Sequence, residues 1–253
     1  MSPRTFDSMP RDGARLAPPP SPLAPRDARQ ATTEGTRRFL ERSVGGTEFR
    51  RELPRGLSVS ALGIGTYLGD CTDAEDAAYV DAIGAAIAAG VNVIDTAVNY
   101  RCQRSERAVG RAMAACVAER VVTRDALVVC TKGGYVEFDG APPASRQEYE
   151  AWLERELFAD GVVTREELVR GGHCIAPKFL ARQLTRSRTN LGVEAVDLYY
   201  VHNPEEQLLG VDRTTFRARL RAAFTLLEER DPRVVSRTIG PIGRIRSEPR
   251  GKV

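Results

Sequence analysis

Three features of the sequence predict an α/β fold built on a parallel sheet. From Leu57 onward, short apolar runs alternate with longer segments of helical periodicity. The runs are apolar along their whole length, as strands buried on both faces are, without the in-out alternation of a half-wet sheet. The order strand then helix repeats four times before Arg230, and such repetition places parallel strands side by side with helices packed over them.

The elements follow in order. Leu57 to Thr66 (LSVSALGIGT) reads as a first strand ending in a glycine-rich turn, and Thr72 to Glu75 (TDAE) is a capping box that opens a helix. That helix places Val80, Ile83 and Ile87 on one face and stops at Gly90. Strand two spans Val91 to Ala97. A helix beginning near Ser105 aligns Val109, Ala112, Met113 and Cys116, and strand three is Leu127 to Lys132 (LVVCTK). An insertion, residues 133–177, interrupts the pattern; its boxes Ser145 to Glu148 and Thr164 to Glu167 predict two short helices. A helix from about Lys178 to Asn190 leads into strand four, Ala195 to Asn203, and a last helix runs from about Asp212 to Arg230.

The flanks differ in composition. Seven of the fifteen prolines lie in the first 25 residues, so residues 1–45 are expected to form a largely disordered Pro/Arg-rich extension with a short helix near Thr36 to Arg42. Residues 46–230 hold the α/β unit. Residues 231–253, rich in Gly, Pro and Arg, contain neither a clean strand nor an amphipathic helix and read as an irregular basic tail, as a truncated or frameshifted end would. Of the net charge of +3, that tail alone carries +4, leaving the remainder near neutral and without the basic surface of a nucleic-acid binder. No run approaches the roughly 20 apolar residues of a membrane helix, and the N-terminus lacks a secretory apolar core; the expected location is cytoplasmic. The five cysteines form no C-x-x-C pair, and they read as isolated thiols in a chain with no disulfide framework and no metal site.

Parallel strands joined by helices bring all their C-terminal ends to one edge, where α/β proteins hold their sites. That edge receives Gly65, Thr66 and Tyr67 from strand one, Asp95 and then Tyr100 from strand two, Lys132 from strand three and His202 from strand four. Lys132 stands out because the chain has three lysines against 34 arginines, yet sets one at the end of an apolar strand, where a tunable amine differs most from a guanidinium.

Four motifs then line up: I-D-T-A-x-x-Y at Ile94 to Tyr100, S-E-x-x-x-G at Ser105 to Gly110, V-C-T-K at Val129 to Lys132, and D-L-Y-Y-V-H-N-P-E at Asp197 to Glu205. In this order they resemble the aldo-keto reductase superfamily. The resemblance implies a TIM-barrel type (β/α)8 fold and the NADPH-dependent reduction of a small-molecule carbonyl, either aldehyde, ketone or sugar. It implies Tyr100 as general acid, Lys132 held by Asp95 to lower the phenol's pKa, and His202 orienting the carbonyl. It also sets Gly65, Thr66, Tyr67 and Asp95 against the nicotinamide half of the cofactor. Within the insertion, Tyr149 and Trp152 are read as anchors of a helix or as walls of the site, and His173 as an exposed loop residue.

A (β/α)8 barrel needs about 250 residues, whereas the resemblance spans only Leu57 to about Arg230, the first four βα units. The missing strands are those the family uses for the cofactor's phosphates. A half barrel also exposes its edges, which favours self-association. The sequence therefore supports two readings, a reductase and a non-catalytic remnant or binding module on the same scaffold.

Overall fold

The computed structural model describes residues 29–42, 47–53 and 56–230. The predicted tail at 231–253 and most of the predicted N-terminal extension lie outside them. Thr33–Glu41 forms the first helix, α1, three residues ahead of where the sequence sets it. The Thr32 hydroxyl accepts from Gly35 N at its start, and Leu40 is buried at its end. This part of the extension is thus ordered, because helix capping and one apolar anchor dock it over the chain near Asp125, whose carbonyl accepts from Thr32 N at 2.9 Å.

Strand one divides in two. Ser58–Ser60 (β2) pairs antiparallel with Arg50–Glu52 (β1), and only Gly63–Gly65 (β3) joins the main sheet. The break is fixed locally: Ser60 Oγ donates to Leu62 O at 2.6 Å and Ala61 N to Phe49 O at 2.7 Å, so the chain turns where a continuous strand would run on.

The main sheet has the order β3-β4-β5-β6, where β4 is Val93–Asp95, β5 Val128–Gly133 and β6 Leu198–Val201, all parallel. Spatial order follows chain order, so no switch point divides the sheet. Between the strands run α2 (Asp73–Ala88), α3 (Arg104–Ala118) and α5 (Pro177–Leu191); α6 (Arg213–Arg230) follows β6. The Thr72 cap of α2 forms as predicted, its hydroxyl accepting from Glu75 N at 3.3 Å, and Gly90 closes the turn beyond that helix at φ +96°. Ile83 and Ile87 from α2 meet Val109, Ala112, Met113 and Cys116 from α3 in one core with Ile94, Leu127, Val129 and Tyr199.

A buried ion pair stitches the N-terminal ends of β5 and β6. Arg124 donates to Asp197 Oδ2 at 2.9 Å, both side chains 2% exposed, and the same oxygen accepts from Val129 N at 2.8 Å. The carboxylate that opens the D-L-Y-Y-V-H motif is therefore a fastener of the sheet, at the end opposite the predicted site.

In the insertion Arg146–Leu153 forms α4, opened by Ser145 as predicted and continued by a π-helical turn, Glu154–Phe158. The second box forms no helix. Thr164 N still donates to Glu167 Oε2 at 2.9 Å, but the chain is then drawn into a bridge between Val169 and His173 and turns through left-handed Arg170 and Gly171. Tyr149 and Trp152 pack with Phe138, Leu153, Leu157 and Phe179 in a second apolar cluster. They anchor the insertion, which is the first of the two roles the sequence offered them.

Candidate active site

Strand alternation sorts β5 into two chemistries. Asp95 pairs with Cys130, so both side chains emerge on one face of the sheet, and Lys132, two residues on, follows on that same face. Its four-carbon stem reaches the neighbouring strand: Nζ donates to Asp95 Oδ2 at 2.7 Å, to Thr96 O at 2.8 Å and to the Tyr100 hydroxyl at 3.2 Å. Thr131, between them, points to the helix face, where its hydroxyl donates to Glu106 of α3 at 2.6 Å. The lysine side chain is 3% exposed and that of Asp95 33%, so the ammonium is enclosed while the carboxylate keeps contact with water.

Tyr100 is buried apart from its rim, and its ring stands edge-on to Tyr67 at 5.0 Å and to His202 at 5.7 Å. His202 is positioned by its backbone N–H, which donates to Gly133 O at 2.7 Å in continuation of the β5–β6 ladder. Its Nδ1 is buried and has no partner. Burial first, then the charge of Lys132 and the neighbouring His173, push the imidazole down to about 3, so the ring is neutral at physiological pH.

His173 corrects the sequence reading. It is not an exposed loop residue but 2% exposed, with Nε2 at 2.8 Å from the carbonyl of His202 and Nδ1 at 2.8 Å from Gln207 Nε2. The Gln207 amide nitrogen can only donate, its oxygen being the acceptor for Arg219, so Nδ1 accepts and Nε2 carries the proton given to His202 O. Tyr135 stacks edge-on against both rings, 4.8 Å from His173 and 4.9 Å from His202, and its hydroxyl accepts from Asn203 at 3.1 Å. The Gly133-Gly134 pair makes room for this packing. A Cβ at Gly134 would stand 2.9 Å from His202 O, and the backbone there has φ +146°. Glycines directly after Lys132 were the signal in the sequence that something packs against that turn; nothing local named His173 as the partner.

The residues predicted for the nicotinamide side divide. Tyr67 is 67% exposed beside Tyr100, and a side chain added at Gly65 would meet only open space. Thr66 is fully buried: its hydroxyl engages Thr96 at 2.8 Å and its carbonyl accepts from Ser105 at 2.7 Å. It presents no surface to a ligand and instead ties the end of β3 to β4 and α3. A groove of about 610 Å³ between α3 and α5 is lined by Arg107, Lys178, Arg182 and Arg186 on the helix side of the sheet, away from Lys132.

Strand order, the Lys132 cluster and the motifs converge with a comparison of sequences: the model of the Aldo/keto reductase family matches residues 61–229. The chain belongs to the aldo/keto reductase family. Solved structures similar to it include an aldo-keto reductase (AKR2E5) of the silkworm Bombyx mori, at 24% identity and a TM-score of 0.44, with 72% of this chain and 44% of that one covered. A Bombyx mori aldo-keto reductase (AKR2E4) in complex with NADP matches at 21% identity and 0.44, covering 71% and 46%. AKR2E5 complexed with NADPH matches at 23% and 0.44, covering 72% and 44%. This aldo/keto reductase chain thus spans less than half the length of the structures it matches. No helix of the described residues is long and apolar enough to cross a membrane.

Proposed function

We propose that this chain carries the carbonyl-reducing end of an NADPH-dependent oxidoreductase, with Tyr100 as the proton donor. The observation that supports it most is the single buried ammonium of Lys132 bridging Asp95 and the Tyr100 hydroxyl. A phenol is a weak acid, with a pKa near 10 in water. As its proton passes to a carbonyl oxygen, negative charge develops on the phenol, and an ammonium 3.2 Å away meets that charge without reorganisation. Asp95 holds the ammonium in line. His202, being neutral, adds no competing positive charge and offers a ring N–H to the carbonyl oxygen beside Tyr100.

NADPH fits at its reacting end. The exposed ring of Tyr67 and the ring of His202 stand against Tyr100 at 5.0 and 5.7 Å, and Gly65 opens onto empty space; Gly65, Tyr67 and Asp95 would border the nicotinamide, and Thr66 would position them. The cofactor would supply a hydride to the carbonyl carbon, and the proton from Tyr100 completes the alcohol. The phosphate end is different. In a (β/α)8 barrel the phosphate site lies in the loops after strands seven and eight, and the sheet of the described residues ends at its fourth strand, β6. The chain alone should therefore hold NADPH weakly, and its edge strands β3 and β6 invite self-association.

The same four-stranded limit favours a second reading, a binding module or remnant without turnover. Both are separated by one experiment on the full chain: titrate NADPH by fluorescence, then follow nicotinamide absorbance at high NADPH with a simple aromatic aldehyde. The reductase reading requires oxidation of NADPH that Tyr100→Phe reduces by about 10²-fold or more; the weak-cofactor claim requires that binding not saturate at micromolar NADPH. Saturable micromolar binding would refute the weak-cofactor claim, and absence of any Tyr100-dependent turnover would leave the module reading.

A further inference from the structure

The loop after Tyr67 and the turn after Tyr100 meet a second time, at two thiols. Cys71 lies between β3 and α2, half-buried, and Cys102 follows Tyr100 by two residues and is 8% exposed. Arg101 clamps the two segments together. Its Nε donates to Asp70 O at 2.9 Å and its NH2 to Thr72 O at 3.4 Å, so one guanidinium grips the chain on both sides of Cys71 while sitting next to Cys102 in sequence. Asp76, 2.7 Å away, fixes that guanidinium, whose side chain is 1% exposed. Arg101, Cys102 and Gln103 are all left-handed, at φ 47°, 53° and 70°, an uncommon run for residues other than glycine. Such a run persists only when its surroundings hold it. Here it lies against the segment that carries Cys71, gripped through Asp70 O and Thr72 O, close enough for the charge of Cys71 to act on the Cys102 thiol. The five thiols are therefore not all isolated, as the sequence suggested.

We propose that Cys71 and Cys102 form a redox-responsive pair that closes to a disulfide when a peroxide reaches Cys71, linking the loop behind Tyr67 to the turn behind Tyr100. The Cys71 thiol gives up its proton to solvent and its thiolate attacks one peroxide oxygen; the O–O bond breaks, Cys71 becomes a sulfenic acid, and the other oxygen leaves as hydroxide, which takes that proton back to become water. The Cys102 sulfur then attacks the Cys71 sulfur; the S–O bond breaks, the Cys102 proton goes to the departing oxygen, and a second water forms. Two thiols are oxidised and one peroxide is reduced. The roles follow from exposure. Cys71 is the thiol that solvent reaches, while burial, and then the charge of Cys71, hold the Cys102 thiol up to about 12, so it keeps its proton and acts as the resolving partner. Asp139 and Arg104 act on Cys102 with opposite sign. Cys116, Cys130 and Cys174 are buried, and burial raises all three thiols, those of Cys130 and Cys174 to about 12.

The sequence makes the test direct, because trypsin cuts after Arg101 and after Arg104 and so separates the two cysteines. The full chain is treated with hydrogen peroxide, its remaining thiols are alkylated, and the digest is read by mass spectrometry. The expected product joins the peptide Cys102–Arg104 to the one ending at Arg101, takes up most of the Cys102 signal, and separates again with dithiothreitol. Cys71→Ser, its fold checked by circular dichroism, should leave Cys102 fully alkylated after the same treatment. The proposal is overturned if Cys71 proceeds to sulfinic acid with Cys102 still free, if Cys102 links to Cys116, Cys130 or Cys174, or if Cys102 is lost equally fast in Cys71→Ser.

Discussion

Asp95→Ala and Lys132→Met remove opposite halves of one ion pair, and the structure predicts unequal costs. Loss of one partner from a fully buried pair costs about 3–5 kcal/mol, because the other charge stays behind without compensation. Here the charges are not equally buried: the Lys132 side chain is 3% exposed and that of Asp95 33%. Asp95→Ala strands an enclosed ammonium that retains Thr96 O and the Tyr100 hydroxyl, so a cost of about 2–4 kcal/mol is expected after allowing for water entering beside the vacated carboxylate. Lys132→Met leaves a carboxylate that water already solvates. Its main penalty is the buried Thr96 carbonyl deprived of a donor, about 1–3 kcal/mol. The methionine stem replaces most of the lost packing. Urea unfolding of both variants, compared at one pH with slopes checked for constancy, should rank Asp95→Ala as the more destabilised by roughly 1 kcal/mol. Equal costs, or Lys132→Met the worse, would show that the enclosure of the ammonium is not what sets the energetics of this cluster.

Two further outcomes concern pH. Glu106 is fully buried, accepts from Thr131 and from Asn190 at 2.9 Å, and is held above the ordinary carboxylate value of 4.5 chiefly by burial. Its stabilising effect is fully present below the unfolded value and is lost as pH rises through the folded one. Glu106→Gln should therefore flatten the fall in stability above pH 4.5; denaturation midpoints that decline in parallel for both proteins would contradict this. His202, pushed down to about 3, should keep unchanged imidazole NMR shifts where an ordinary histidine titrates, around pH 6.5. Because the unfolded chain takes up that proton and the folded one does not, stability should drop as pH falls from 6.5 towards 3. An imidazole that titrates near 6.5 would mean the ring is solvated.

Short-range patterns made part of this protein legible before any folding. The parallel α/β order was readable because strands buried on both faces are uniformly apolar and helices repeat their apolar face every third or fourth residue. The helix start at Thr72 was readable because a cap needs only four consecutive residues. The candidate site was readable because parallel topology sends Asp95, Tyr100, Lys132 and His202 to one edge, whatever the details of packing. Tertiary structure decided the rest. The strand predicted over Leu57 to Thr66 broke because β1, a partner far too short to announce itself, captured its first half. Thr66 turned inward because Thr96 and Ser105 from other elements claimed its polar groups. His173 became a buried neighbour of His202 through a chain reversal that the periodicity of residues 133–177 does not encode, and Cys71 met Cys102 through a clamp whose arginine and carbonyls are about thirty residues apart. Periodicity fixes which face of an element is buried; which distant residue arrives against that face is a property of the packed whole.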